Sequence, residues 1–447
     1  MIEGRDRLAS SEGRDVALEC VEAGIEAGHP RRVVRDAVAI EGDHLRIADE
    51  TYDLAEYEEI VVLGGGNAAA HVAVALETVL GDRIDRGIVV TDDPVETEAV
   101  TVREGDHPVP SERGVDGTRA LLEAADAATE DTLVLAAITG GGSALMAAPA
   151  GDVSLADLQS TTDALLASGA DIHEINAVRK HLSALKGGRL AHRAAPATVA
   201  SLILSDVVGN DLSVIASGPV APDESTFDDA LAVLERYEID APDAVIDRLE
   251  RGVGGEIAET PGADDPAFET VSNHVVADGM TVLEAARDAA VERGYETLVL
   301  SSRVRGEARD AAATHVAIAE ESRATGTPVE PPAVVLSGGE TTVTVRGDGT
   351  GGPNQEFATS AALELGSGQD VGTDRGITVA AVDTDGIDGA TDAAGAVADG
   401  TTVEDPDAAR AALAENDVYP YLESREGLIV TGPTGTNLND LRVLVVR

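Results

Sequence analysis

Six apolar runs with β character each end in a glycine-rich turn carrying Ser, Thr, Asn or Asp. They are IVVLGGGNAAA from Ile60, LVLAAITGGGSALM from Leu133, LILSDVVGNDLSVIASGP from Leu202, VVLSGGETTV from Val334, ITVAAVDTDGIDG from Ile377 and LIVTGPTGTNLND from Leu428. A short, uninterrupted apolar run reads as a strand buried on both faces. Between these runs the apolar positions recur at helical spacing, which predicts helices over 15–28, 67–80, 114–128, 155–167 and 174–194, with strands at 60–63, 87–90, 133–138 and 198–204. The second half alternates likewise: strands at 273–277, 297–301, 333–336, 428–431 and 442–446, and helices at 281–293, 307–324 and 405–415. The alternating stretch 341–346 reads as a further, antiparallel strand. Alternation of this kind predicts a mostly parallel sheet covered by helices on both faces. Open sheets of that class bind ligands at the carboxyl ends of their strands, where all six glycine-rich turns fall. Their backbone N–H groups and sparse apolar lining suit a small phosphate-bearing anion.

A length of 447 residues with 43% hydrophobic residues predicts more than one core. Residues 241–266, rich in Pro, Gly, Asp and Glu, mark the expected boundary, giving domains 1–265 and 266–447. The formal charge of −50 changes the picture most: 82 acidic residues face 32 Lys plus Arg and are dispersed along the chain. That distribution argues for a salt-adapted surface, which dilute buffer would destabilise, and against nucleic acid or anionic membranes as partners. No run has transmembrane length or the form of a signal region, so a soluble, cytoplasmic protein is expected, and a homodimer is compatible with the chain. The single cysteine, Cys20, excludes an intramolecular disulfide and reads as helix filler.

Against this acidity, only two lysines occur, Lys180 and Lys186, both in EINAVRKHLSALKGGRLA. On a helix, Asn176, Arg179 and Lys180 share one face and Ser183 follows, a pattern able to hold an anion. His173 and His181 read as solvated or core histidines, since no cysteine is near for a zinc site. Gly64, Gly65 and Gly66 let backbone approach a ligand and Asn67 opens a helix; Gly141 and Gly142 repeat the design with Ser143 as the expected N-cap. Neither turn matches the phosphate-loop signature, and no dinucleotide fingerprint with its following acidic residue is evident. Asp206, Asp385 and Asp388 closely follow apolar runs and are the candidate magnesium ligands; DTDGIDG only faintly resembles a calcium loop. The Thr431–Asp440 segment reads as substrate or nucleotide contact, with a self-satisfied turn as the alternative.

Taken in order, EINAVRKHLSALKGGRLA, LSDVVGNDLSVIASGPVAPDEST, LSGGETTVTV, DTDGIDGATDAAGA and TGPTGTNLNDL resemble the class II glycerate kinases, built from a glycerate-kinase domain and a MOFRL domain. The resemblance runs from about residue 24 to the C-terminus. It implies two Rossmann-like α/β domains with an interdomain active-site cleft, and ATP- and Mg²⁺-dependent phosphorylation of D-glycerate, commonly at the 2-hydroxyl. It also implies roles. Gly64–Gly66 and the 140–143 turn would cradle anionic groups. Arg179 and Lys180 would neutralise carboxylate or phosphate, supported by Lys186, and Asp206 and Asp385 would hold Mg²⁺ or orient the hydroxyl. Glu340, Asn354, Asn437 and Asp440 would line the facing domain. Two positions depart from the family pattern: Asn67 stands where GxGKAA has Lys, and Pro353 where GGRNQE has Arg. Both remove a cation, leaving three alternatives: Arg179, Lys180, Lys186 and Arg189 suffice, the substrate is another hydroxy or sugar acid, or the chain binds without turnover. A hydroxypyruvate reductase, a label also attached to this family, would need a nicotinamide cofactor.

Overall fold

The apolar run at Ile60 becomes the centre of a parallel sheet. The computed structural model describes residues 1–366 and 376–447, and the chain divides into two units, Pro30–Val276 and Met1–His29 with Ala277–Arg447. The first unit opens with a small antiparallel sheet of β1 (Val38–Glu41), β2 (His44–Ile47) and β3 (Glu50–Asp53). Strands of four residues are too short to show a period, so the sequence pattern does not reveal them. The main sheet holds β4 (Glu59–Gly65), β5 (Arg86–Thr91), β6 (Val100–Glu104), β7 (Thr132–Thr139), β8 (Thr198–Leu204) and β9 (Val271–Ala277), in the order β6-β5-β4-β7-β8-β9. Pairing from β6 through β8 is parallel. Every residue of β7 is buried, as its unbroken apolar run requires. Strand order reverses between β4 and β7, so the turns after these strands flank the topological switch point, where open α/β sheets take their ligands.

The helix expected over 174–194 is two. Asp171 caps Ile172–His181, its side chain accepting from the N–H groups of His173 and Glu174 while Glu174 reaches back. The backbone then turns through Gly187 and Gly188, at φ 58° and 76°, before Arg189–Ala194. The glycine pair supplies left-handed conformations that no helix continues through.

The second unit holds β10 (Glu296–Glu307), β11 (Ala333–Thr342), β12 (Ile377–Asp383), β13 (Gly395–Asp399), β14 (Leu428–Ile429) and β15 (Asp440–Val446). Their order is β10-β11-β15-β12-β13-β14, and only β10 and β11 pair in parallel. The separate strand expected at 341–346 does not form: β11 itself runs to Thr342 and ends. Register sets Gly339 of β11, Asp440 of β15 and Asp383 of β12 side by side.

The expected domain limits need correction at the N-terminus. Helix Glu12–Gly28 packs on the second unit's sheet, with Gly24 against Leu441 and Val282 and Gly28 against Leu438. Arg14 Nε pairs with Asp399 at 2.7 Å in the buried interface of that helix. An apolar helix face read from one sequence does not say which sheet it covers. Cys20 lies buried in this helix, its thiol pushed up to about 12 by burial. No helix among the described residues is long and apolar enough to cross a membrane.

Candidate functional site

Each unit gathers one cluster of the expected residues. In the first unit, the turns after β4 and β7 interlock. Asn67 N–H donates to the Gly140 carbonyl at 2.8 Å, and Ala68 N–H to Thr139 Oγ1 at 3.2 Å. Gly141 has φ 74°, and a Cβ there would collide with Asn67 Oδ1; one on Gly140 would collide with the Asp206 carboxylate. Glycine is therefore required for this approach. The structure thus brings Asn67, Gly140–Gly142 and Asp206 together at the switch point. Asn67 does not open the helix Ala69–Leu80; its amide grips both Asp92 carboxylate oxygens, at 3.0 and 2.8 Å. The N-cap of the short helix Gly142–Leu145 is Gly141, not Ser143, whose hydroxyl turns instead to Ser217 at 2.8 Å.

Ser217 carries no role in the sequence reading, yet it links two predicted residues, since it also donates to Asn176 Oδ1 at 3.0 Å. Its backbone is unusual: Ala216, Ser217 and Gly218 have φ 50°, 60° and 64° in succession. Non-glycine residues held there are strained, and such strain collects at functional sites. The only signal in the sequence was the Ser-Gly-Pro triplet. Asn176 Nδ2 is buried without a hydrogen-bond partner, a donor awaiting an acceptor.

The two lysines part company. Lys180 Nζ is tied to Asp223 at 2.9 Å, with both side chains buried. The expectation that Lys180 neutralises substrate meets a carboxylate the sequence reading did not single out. Lys186 is 3% exposed, and among the described residues its ammonium finds only the Met146 carbonyl, at 3.2 Å. Burial and the charge of Arg179 bring it down to about 7. Arg179 is half-buried, has no hydrogen-bond or ion-pair partner among the described residues, and has its guanidinium lowered by burial. A cavity of about 550 Å³ in this unit is lined by Asn176, Lys180, Ser213 and Asp223 among others, and not by Arg179 or Lys186. His173 lines it too, exposed. His181 is a core residue, packed edge-on against Phe227 at 4.5 Å.

In the second unit, Asp388 caps the helix Pro353–Leu365. Its carboxylate accepts from the N–H groups of Asn354 and Gln355, at 2.9 and 2.8 Å. Burial still raises it to about 7. The Asp388 carboxylate, expected as a magnesium ligand, is engaged here through both oxygens with a helix N-terminus. Asn354 Nδ2 donates to Asp440 at 2.6 Å. The other Asp440 oxygen takes the Thr341 N–H at 3.1 Å and the fully buried guanidinium of Arg442. Asn354 and Asp440 are thus interior scaffold, and Arg442 is a member that sequence reasoning missed. Asp383 is pushed well up by burial, with Asp385 and Asp440 adding to the shift. Asp385 is half-buried, Asn437 is half-buried in the terminal loop, and Glu340 is exposed at the end of β11. The 431–440 loop is stitched to the Asp385 loop by Thr434, whose hydroxyl donates to the Thr384 carbonyl at 2.6 Å.

Comparison with known proteins fits this geometry. Residues 16–250 match the family described as a domain of unknown function, DUF4147, and residues 333–440 match the MOFRL family. The glycerate 2-kinase of Pyrococcus horikoshii is 39% identical over 97% of each chain. A crystal structure of glycerate kinase from Thermotoga maritima superposes with a TM-score of 0.83 at 38% identity, over 97% of this chain and 99% of that one. The chain belongs to the class II glycerate kinase family. A protein of Agrobacterium vitis, named a putative hydroxypyruvate reductase, is 42% identical over 86% of this chain and 87% of its own.

Within this glycerate kinase fold the two departures have distinct local consequences. Pro353 takes the first helical position, where its missing N–H and fixed φ cost nothing. At that position no intrahelical N–H bond is lost. Asn67 keeps a polar link, to Asp92. Removing the Asp388 cap strands two buried N–H groups, so Asp388→Ala is expected to lose at least about 2 kcal/mol in urea unfolding; unchanged stability would show the cap to be dispensable. Among the described residues no cluster of three or more His, Cys, Asp or Glu side chains has metal-binding geometry. Asp206, in the first unit, and Asp385, in the second, are each half-buried and closely follow a strand end.

Proposed function

We propose that this chain transfers the γ-phosphoryl group of ATP to the 2-hydroxyl of D-glycerate, giving 2-phosphoglycerate and ADP. One observation carries the reading: in a chain of net charge −50, the Arg179 and Lys186 cations have no carboxylate partner among the described residues and lie in the unit that carries the switch-point turns. Unpaired buried cations amid so many acids are kept for an anion. Asn176 Nδ2 adds a neutral donor. Phosphoryl transfer asks for positioning and charge neutralisation more than covalent chemistry, and these groups supply both. Asp206 and Asp385 are the carboxylates assigned to Mg²⁺ or to the hydroxyl proton; bound Mg²⁺ would neutralise phosphate charge. A salt-adapted cytoplasm is the expected setting.

A coupled ADP-release assay with Mg-ATP and D-glycerate in molar KCl, with the product identified by NMR, tests the reading. Absence of turnover from folded protein would overturn it. One observation favours a second reading. Gly64 lies at the end of β4, Gly66 in the turn after it and Ala69 at the start of the following helix, with Asp92 just past β5. This spacing matches the G-x-G-x-x-A form of the dinucleotide turn, with Asp92 in the place of its acidic residue. Oxidation of NADH by hydroxypyruvate, without ADP release in the kinase assay, would select the reductase.

The Lys186 shift makes the pH profile informative. Its folded-state value lies below that of a solvated lysine, so the cation is lost as pH rises through about 7. At the ATP-binding step, kcat/KM is expected to fall about tenfold per unit above that point, and Lys186→Arg is expected to abolish the fall. A flat profile in the parent protein would remove Lys186 from the phosphate site.

A further inference from the structure

The first unit holds a second cavity, of about 720 Å³, lined by the segments around residues 149–151, 183–193 and 257–265 together with Arg248. Arg179 and Lys186 do not line it. Pro149, Ala150, Ile257 and Pro261 give it apolar walls. Its volume is that of a pocket for a metabolite.

The charges in it are unbalanced. Arg189 Nη1 donates to the carbonyls of Lys180 and Lys186, at 2.8 and 3.5 Å. Arg248 Nε donates to the His181 carbonyl at 2.7 Å. Neither guanidinium has a carboxylate within ion-pair distance among the described residues. The remaining basic groups lining the cavity are spoken for, Arg193 by Asp126 and His192 by Asp265. So are two of its three carboxylates. Glu259 accepts from the Phe227 N–H and faces His181, and Asp265 accepts from the Ala267 N–H. Asp264 stands on the exposed rim. Arg189 is brought down to about 10 by burial and by the charge of Arg248, with Asp223 and Glu259 pulling the other way. Two like charges facing one cavity repel, and an oxyanion bridging them would relieve the repulsion through charge-assisted hydrogen bonds.

We propose that this cavity is a second anion site, taking a small metabolite whose phosphate or carboxylate group lies on Arg189 and Arg248 and whose carbon skeleton lies against Pro149 and Ile257. The site is separate from the phosphoryl-transfer residues, and its occupancy does not depend on the kinase reading. Arg189 also contacts the backbone of the turn that carries Lys186, so an occupant is one side chain away from that turn.

The test is calorimetric titration of the full chain carrying Arg179→Ala, which weakens the other anion site, with inorganic phosphate in one arm and citrate in the other. Saturable one-to-one binding is expected in at least one arm. Phosphate alone would assign a phosphate ester, and citrate alone a polycarboxylate. Arg248→Gln is expected to weaken binding about tenfold or more by removing one charged donor set. Ala258→Glu, at an exposed lining position, sets a carboxylate against the site without touching the core and is expected to weaken binding as much. Absence of saturable binding in both arms, or affinities unchanged by both substitutions, would overturn the proposal. Because no turnover is read, this outcome is independent of whether the chain phosphorylates glycerate.

Discussion

Arg179→Ala is expected to lower kcat/KM for D-glycerate by about 10³-fold while leaving the fold at least as stable as before. The two halves of this expectation have one cause. Arg179 is a half-buried guanidinium with no carboxylate partner and a depressed proton affinity, so the folded chain holds it at a desolvation cost that nothing in the described structure offsets. Truncation removes that cost together with the anion's partner. A change in urea-unfolding free energy within about 0.5 kcal/mol, or a gain, is expected. Arg179→Lys should recover part of the activity, since it restores the charge but not the planar fork that meets an oxyanion at two points. The Lys186 charge also enters. The two cations repel, so losing Arg179 raises Lys186 toward its ordinary range and moves the expected pH fall upward. Activity within tenfold of the parent, with stability unchanged, would place the anion site elsewhere.

How much of this could be read in advance follows from the range of each interaction. The parallel sheet was legible because β4, β7 and β8 are unbroken apolar runs, and their order follows from one helix crossing at a time. The glycine-rich turns were legible for the same reason, as they end those runs. Direction in the second sheet was not, because a strand inserted from the chain terminus, β15, lies between β11 and β12, and nothing local announces that. The N-terminal helix was found, but its place on the second unit depends on Gly24 and Gly28 meeting Leu441 and Leu438 across the whole length of the chain. At the site, the sequence nominates residue types more readily than contacts. Asn176, Arg179 and Lys186 were picked out by a cationic segment in an acidic chain. Ser217 was not, because its distinction is a backbone conformation, and Arg442 was not, because a basic residue in a β-strand reads as surface until its burial is known. Asp388 stands out in the sequence as a magnesium candidate, and the structure places its carboxylate on the first turn of a helix. An Asp in a glycine-rich loop has the same local signature whether it meets a metal or the first turn of a helix.

The sharpest separation of role from type is between Lys180 and Arg179, neighbours that the sequence places on one face. Lys180→Met is expected to destabilise the chain by about 3–5 kcal/mol, a loss that Arg179→Ala does not share. The ammonium of Lys180 meets Asp223 at 2.9 Å, and the two side chains are 6% and 1% exposed. Asp223 also accepts from the Ser225 N–H and hydroxyl, at 3.1 and 2.9 Å, which anchors the 222–226 turn. Burial pushes the Asp223 carboxyl up, but Lys180 and these donors outweigh it, leaving the group below its ordinary range. Without the lysine, a carboxylate with no counter-ion would be left in the interior. The sign of the pH dependence follows. Asp223 contributes stability above the unfolded carboxylate value and loses it as pH falls through its lower folded value, so acid unfolding of the parent is resisted. In Lys180→Met the folded value moves above the unfolded one. That variant should gain stability relative to the parent as pH falls through the upper part of the carboxylate range, narrowing the gap between them. Urea titrations of both proteins at neutral and mildly acidic pH, in high salt, measure this gap. A gap that stays constant would mean the pair is exchanged for another partner, and a neutral-pH loss below about 1 kcal/mol would mean it contributes no more than a surface ion pair. If Lys180→Met is unstable while its folded fraction retains catalysis, the two lysines of this chain have divided their work, one holding the turn and the other facing the anion.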